Sequence, residues 1–108
     1  MAYYMLQVGY TSEAWGSQVR NPQNIVDRVR PVVERLGGSL ESTYYAFGEY
    51  DLVQIVQFPD NVSAAALSLA ASAGGATKAL KTTPLMSVEE GIEAMRKAVS
   101  AGYQPPRS

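Results

Sequence analysis

The sequence predicts one α+β domain in which strands and helices follow the order β-α-β-β-α-β, with an extra helix at the C-terminal end. Three observations carry that reading. Four stretches rich in aromatic and other strand-favouring residues alternate with helical stretches in this order. A length of 108 residues holds one core and no more. The strands that this order makes central, residues 3–10 and 50–58, are apolar on both faces.

The first strand, residues 3–10, sets Tyr3, Met5, Gln7 and Gly9 on one face and Tyr4, Leu6, Val8 and Tyr10 on the other. Residues 11–20 are polar around Trp15 and read as a loop with a helical turn. Asn21-Pro22 marks a helix start, with Asn as cap and proline at the first helical position. Ile25, Val29, Val32, Val33 and Leu36 then recur at helical spacing, and Gly37-Gly38 ends the helix. Pro31 lies inside it, removes the hydrogen bond to the Asp27 carbonyl and predicts a bend.

Residues 39–47 and 50–58 form two strands joined by Gly48-Glu49. A two-residue link with glycine first suits a type II′ turn. In the second strand Val53 and Ile55 face one way, and Leu52, Val56 and Phe58 the other. Asp60 caps an alanine-rich helix over 62–73, whose small side chains permit close approach to a sheet. Residues 76–86 form a more polar strand that Pro84 confines to an edge. Ser87-Val88-Glu89-Glu90 is a capping box, and Ile92, Met95 and Val99 give the last helix an apolar stripe. The domain thus spans 1–101, and a tail over 102–108 is expected to be extended or disordered.

This order is the ferredoxin-like unit, and right-handed crossovers place both connecting helices on one sheet face. The opposite face, built from Met5 or Leu6, Val53 or Val56 and their neighbours, would be an exposed apolar patch. At roughly 25 cal/mol per Å2, several hundred Å2 left wet forgoes on the order of ten kcal/mol. A second copy laying its sheet on the first would cover it, and the last helix is the competing cover.

Composition excludes several chemistries. No cysteine means no disulfide, thiolate nucleophile or iron–sulfur cluster, and no histidine removes the commonest general base and transition-metal ligand. No metal and no cofactor are expected. A net charge of −1 with scattered basic residues gives no footprint for nucleic acid or an anionic membrane. The opening residues lack a basic leader region and no run is long enough to span a bilayer, so a cytoplasmic location is expected.

The segment Phe47-Gly48-Glu49-Tyr50-Asp51-Leu52-Val53, with Gly37-Gly38 one strand earlier and Thr11-Ser12-Glu13 after the first strand, resembles the GYD-domain family. The spacing from Leu36-Gly37-Gly38 to Tyr44-Tyr45-Ala46-Phe47 fits as well, and the resemblance runs from about residue 3 to residue 97. Ala14 and Pro31 depart from the pattern. The resemblance implies a ferredoxin-like fold that pairs as a dimeric α/β barrel. It implies no settled activity.

Asp51 stands out among the polar residues. It is either a general base or ligand anchor set among apolar neighbours, or a structural acceptor for a neighbouring loop's N–H groups. Trp15, Tyr44, Tyr50 and Tyr10 are candidates to line an aromatic ligand pocket, with core and interface packing as the alternative. The leading expectation is a homodimeric small-molecule-binding module with its site between helices and sheet. Relatives in the wider superfamily imply a second, a cofactor-independent oxygenase or isomerase acting on a phenolic or quinol-like substrate with Asp51 as base. A third is an accessory subunit that docks on a larger complex through Tyr103 and the tail. Whether the chain is an enzyme is left open.

Overall fold

Among the described residues, 1–106 of this computed structural model, the elements are β1 (Ala2–Tyr10), α1 (Ser12–Arg20), α2 (Ile25–Arg35), β2 (Ser39–Tyr45), β3 (Leu52–Phe58), α3 (Asn61–Ala73), β4 (Thr77–Leu85) and α4 (Val88–Ser100). The end of the expected 102–108 tail, Arg107 and Ser108, lies outside the described residues. The strands make one sheet in the order β2-β3-β1-β4 with every neighbouring pair antiparallel, the ferredoxin-like arrangement.

Strand alternation divides the sheet as the sequence predicts. Tyr4, Leu6, Val8 and Tyr10 of β1 and Leu52, Val56 and Phe58 of β3 are buried beneath the helices. Val33 of α2, Leu40 of β2, and Ala64 and Leu67 of α3 complete this core. On the other face Met5 pairs with Ile55 and Gln7 with Val53, all only partly buried. Tyr4 keeps its hydroxyl satisfied by donating to Asn61 Oδ1 at 2.6 Å, so a buried phenol costs little here.

The stretch expected to be a loop with a helical turn at residues 11–20 is helical over nearly its whole length, as α1. Thr11 caps it by accepting from the Ala14 N–H at 3.1 Å, and Glu13 in the first turn complements the helix dipole. Asn21 accordingly closes α1 instead of opening the next helix. α2 begins after Asn24, whose side chain accepts from the Val26 N–H at 3.0 Å. Asn24 directly precedes Ile25, the first buried residue of the apolar stripe, and that adjacency sets the start. The helix runs across Pro31 to Arg35.

The two-residue hairpin is also corrected. β2 stops at Tyr45 and β3 starts at Leu52, leaving a connection over 46–51 that Ala46 and Asp51 close with a 2.8 Å N–H to carbonyl bond. Gly48 does not adopt the positive φ that a type II′ turn requires. The connection is set instead by Asp51, whose carbonyl accepts from Ala46 while its N–H and carboxylate are held by Val8 and Tyr10 at the end of β1.

Gly37 takes φ +83° after α2, a left-handed conformation glycine reaches without strain. Gly38 serves a different need. A Cβ there would meet the Phe58 ring at about 2.5 Å, so the chain entering β2 can pass over β3 only without a side chain.

α4 carries the capping box: Ser87 Oγ accepts from the Glu90 N–H and Glu90 accepts from the Ser87 N–H. It buries none of its residues. The last helix therefore does not cover the open face of its own sheet.

Candidate functional site

Between the sheet and helices α2 and α3 lies a cavity of about 250 Å3. Leu6, Val8 and Leu52 form its floor, because alternation turns these positions toward the helices. Ile25 and Val29 from α2 and Leu67 and Ala71 from α3 make the walls, and Thr77 and Leu80 of β4 close one side. Small residues on α3 leave the space: Ala71 stands where a larger side chain would fill it. Exposed Arg28 and Ala76 belong to the lining, so the cavity reaches solvent between α2 and the α3–β4 connection.

Besides Thr77, three polar side chains meet this apolar space. Gln54, 3% exposed, sits in the floor and donates through Nε2 to Thr43 Oγ1 at 3.3 Å. Tyr10 contributes its ring, and burial pushes its phenol above the usual range, with nearby Tyr45 adding to the rise and Arg28 opposing it. The phenol therefore stays protonated at neutral pH. Arg28 makes no ion pair among the described residues. The lining holds this one cation and no carboxylate.

A second groove of about 370 Å3 follows α3 and β4 near Leu69 and Pro84. Its polar groups are already paired, Tyr4 with Asn61 and Ser68 with Thr82, and no charged residue lines it. It offers a ligand less than the first.

The aromatic and acidic residues singled out in the sequence do not form one cluster. Trp15, carried by α1, stacks edge-on against Tyr10 at 5.3 Å and tilts toward Tyr45 at 6.1 Å, forming a wall behind Tyr10. Tyr44 points from β2 to the opposite sheet face beside Val53 and is 66% exposed. Tyr50 lies in the 46–51 connection, and neither it nor Asp51 lines the cavity. Asp51 Oδ2 accepts from the Tyr10 N–H at 2.8 Å, while its own N–H donates to the Val8 carbonyl.

Sequence reading passed over Gln54 and Arg28. Gln54 was detectable as the one polar residue at an inward position of a strand otherwise reading Leu52, Val56, Phe58. Arg28 gave no signal, since it shares α2 with other exposed charges. Among the described residues no group of three His, Cys, Asp or Glu side chains is placed to hold a metal ion, and no helix is long and apolar enough to cross a membrane.

The GYD domain model matches residues 4–95. No curated protein matches the chain. Among solved structures, that of MtbAldR is similar at 20% identity with a TM-score of 0.61, over 80% of this chain and 53% of the other. The chain thus spans about half of MtbAldR's length. The structure of FFRP-DM1 is similar at 12% identity with a TM-score of 0.50, over 80% of this chain and 100% of the other. At these identities the likeness is one of fold.

Proposed function

The chain belongs to the GYD domain family, and from that premise we propose that it is a small-molecule-binding module that works as a homodimer, with its ligand in the cavity between α2, α3 and the sheet. The carrying observation is the cavity's chemistry: an apolar interior with a single unpaired cation at the mouth. Such a space suits a ligand with an apolar body and one acidic end. The volume exceeds the ~150 Å3 that accommodates a benzene-sized guest, so a medium-length acyl chain or a substituted ring fits. Gln54, Thr77 and the protonated Tyr10 are the uncharged polar groups available to orient it.

Asp51 is spent on backbone and lies outside the lining. That supports binding over proton abstraction from a ligand held here. Homodimer formation is supported by the open sheet face, where Met5, Val53 and Ile55 remain partly exposed with no helix of their own chain above them.

The test is a thermal-shift comparison of decanoate, decanol and decylamine. Decanoate is expected to raise Tm most and decylamine least. Three equal shifts, or none, contradict the reading.

A further inference from the structure

We propose that α4 is an exchanged arm, packing its Val88, Ile92, Met95 and Val99 stripe on a second copy of this chain. The inference rests on the homodimer reading above and goes beyond it, because sheet pairing alone leaves α4 without a role.

The four residues follow at spacings of four, three and four, which places them on one side of the helix. All are exposed: Val88 by 80%, Met95 by 69% and Val99 by 84%. A helix of 13 residues is marginal in water on its own, and most helical stability comes from packing an amphipathic face. α4 has a complete cap and a complete stripe but no surface of its own domain beneath it. The chain's shape says the same. Its extents are 58 × 36 × 22 Å and its radius of gyration is 17.5 Å, against about 13 Å for a compact chain of this length.

A second copy is the occupant that the rest of the chain favours. This protein presents two uncovered apolar surfaces, the α4 stripe and the open sheet face with Met5, Val53 and Ile55, and does not bring them together within one copy. A two-fold pair supplies each surface twice and can cover both without a foreign partner. The flanking charges speak against a lipid surface. Glu89, Glu90 and Glu93 outnumber Arg96 and Lys97, whereas helices that bind anionic membranes carry a basic polar face.

Two measurements on the full-length chain test this. Met95→Cys introduces a lone thiol into a chain that has none. Its labelling by a thiol reagent is expected to slow by about tenfold or more over the concentration range in which sedimentation reports dimer formation. Ile92→Glu with Met95→Glu is expected to weaken association by about a hundredfold or more while leaving monomer Tm unchanged, because α4 buries nothing in its own domain. Labelling that is equally fast in monomer and dimer overturns the proposal. So does labelling that is slow even in the monomer, which would place α4 on its own sheet. If the double variant still dimerises and Met5→Glu abolishes dimerisation, the exchanged arm is wrong while the homodimer stands. A chain that stays monomeric throughout removes both.

Discussion

Asp51 takes over the β1–β3 ladder at the point where backbone can no longer continue it. β3 pairs with β1 as far as Leu52 opposite Val8, and one step on, the Asp51 carboxylate accepts the Tyr10 N–H at 2.8 Å. The same residue donates its N–H to Val8 and accepts from Ala46 through its carbonyl. One side chain and its peptide groups thus fix the ends of three strands, just where β1 slips register against β4 between Gly9 and Tyr10. The Tyr10 side chain in turn enters the cavity, so this acceptor positions a cavity wall.

Asp51→Ala leaves the buried Tyr10 N–H without its acceptor and is expected to cost about 1–3 kcal/mol. Asp51→Asn keeps an acceptor oxygen and is expected to cost less. Urea denaturation measures both. Equal stability for wild type and Asp51→Ala would refute the assignment.

Gly38 before β2 and Gly48 after it are expected to behave differently. Gly38→Ala drives a Cβ into Phe58 and the Gln57 carbonyl and is expected to destabilise by about 1–3 kcal/mol. At Gly48 a Cβ meets nothing within 4 Å and φ is not positive. Gly48→Ala is therefore expected within about 0.5 kcal/mol of wild type. A large loss at Gly48 would restore the tight hairpin that the structure replaces.

Acid is expected to weaken α3 and α4 through their caps. The Ser63 backbone N–H lowers the Asp60 pKa from its usual 3.8, and the Ser87 N–H lowers that of Glu90 from its usual 4.5. Both carboxylates are more acidic folded than unfolded, so their stabilisation is complete above those ordinary values and is lost as pH falls through the lowered ones. Far-UV circular dichroism between pH 5 and 2, read against Asp60→Asn and Glu90→Gln, should show a smaller acid loss in the variants. An identical loss contradicts the assignment.

The sheet, its order and the grouping of side chains on its two faces were legible from strand alternation in residues 3–10 and 50–58, but which face lies beneath the helices was not, because both carry apolar residues. α1 was not, since its nine residues include no buried side chain and so lack the stripe that betrays a helix. The hairpin misled because Gly48-Glu49 has the right residue types for a turn, while the connection is set by hydrogen bonds from Asp51 to residues far away in sequence. Tyr10 could be named as a pocket candidate from its aromatic side chain. Arg28 and Ala71 could not, because a cavity depends on what neighbouring elements fail to fill, and that is not a property of any one segment.

The open face carries its own prediction. Met5 and Ile55 are opposite one another at its centre. Met5→Glu or Ile55→Glu is expected to convert the proposed dimer to a monomer at micromolar concentration with little change in fold, as read by sedimentation and circular dichroism. A dimer that tolerates both changes does not use this face.

Ligand selectivity should follow the cavity's polarity. Ala71→Phe is expected to fill the space and abolish the decanoate effect. Arg28→Gln is expected to weaken decanoate by about tenfold and leave decanol unaffected, since only the acid uses the cation. Calorimetric titration separates the two. A decanoate affinity indifferent to both substitutions would place binding elsewhere.

Methyl-labelled NMR of the chain titrated with decanoate tests the central claim most directly. The account predicts shift changes and ligand contacts at the methyls of Leu6, Val8, Ile25, Leu52 and Leu67. Perturbations confined to Val53 and Ile55 on the opposite face, or none at saturating decanoate, would contradict it.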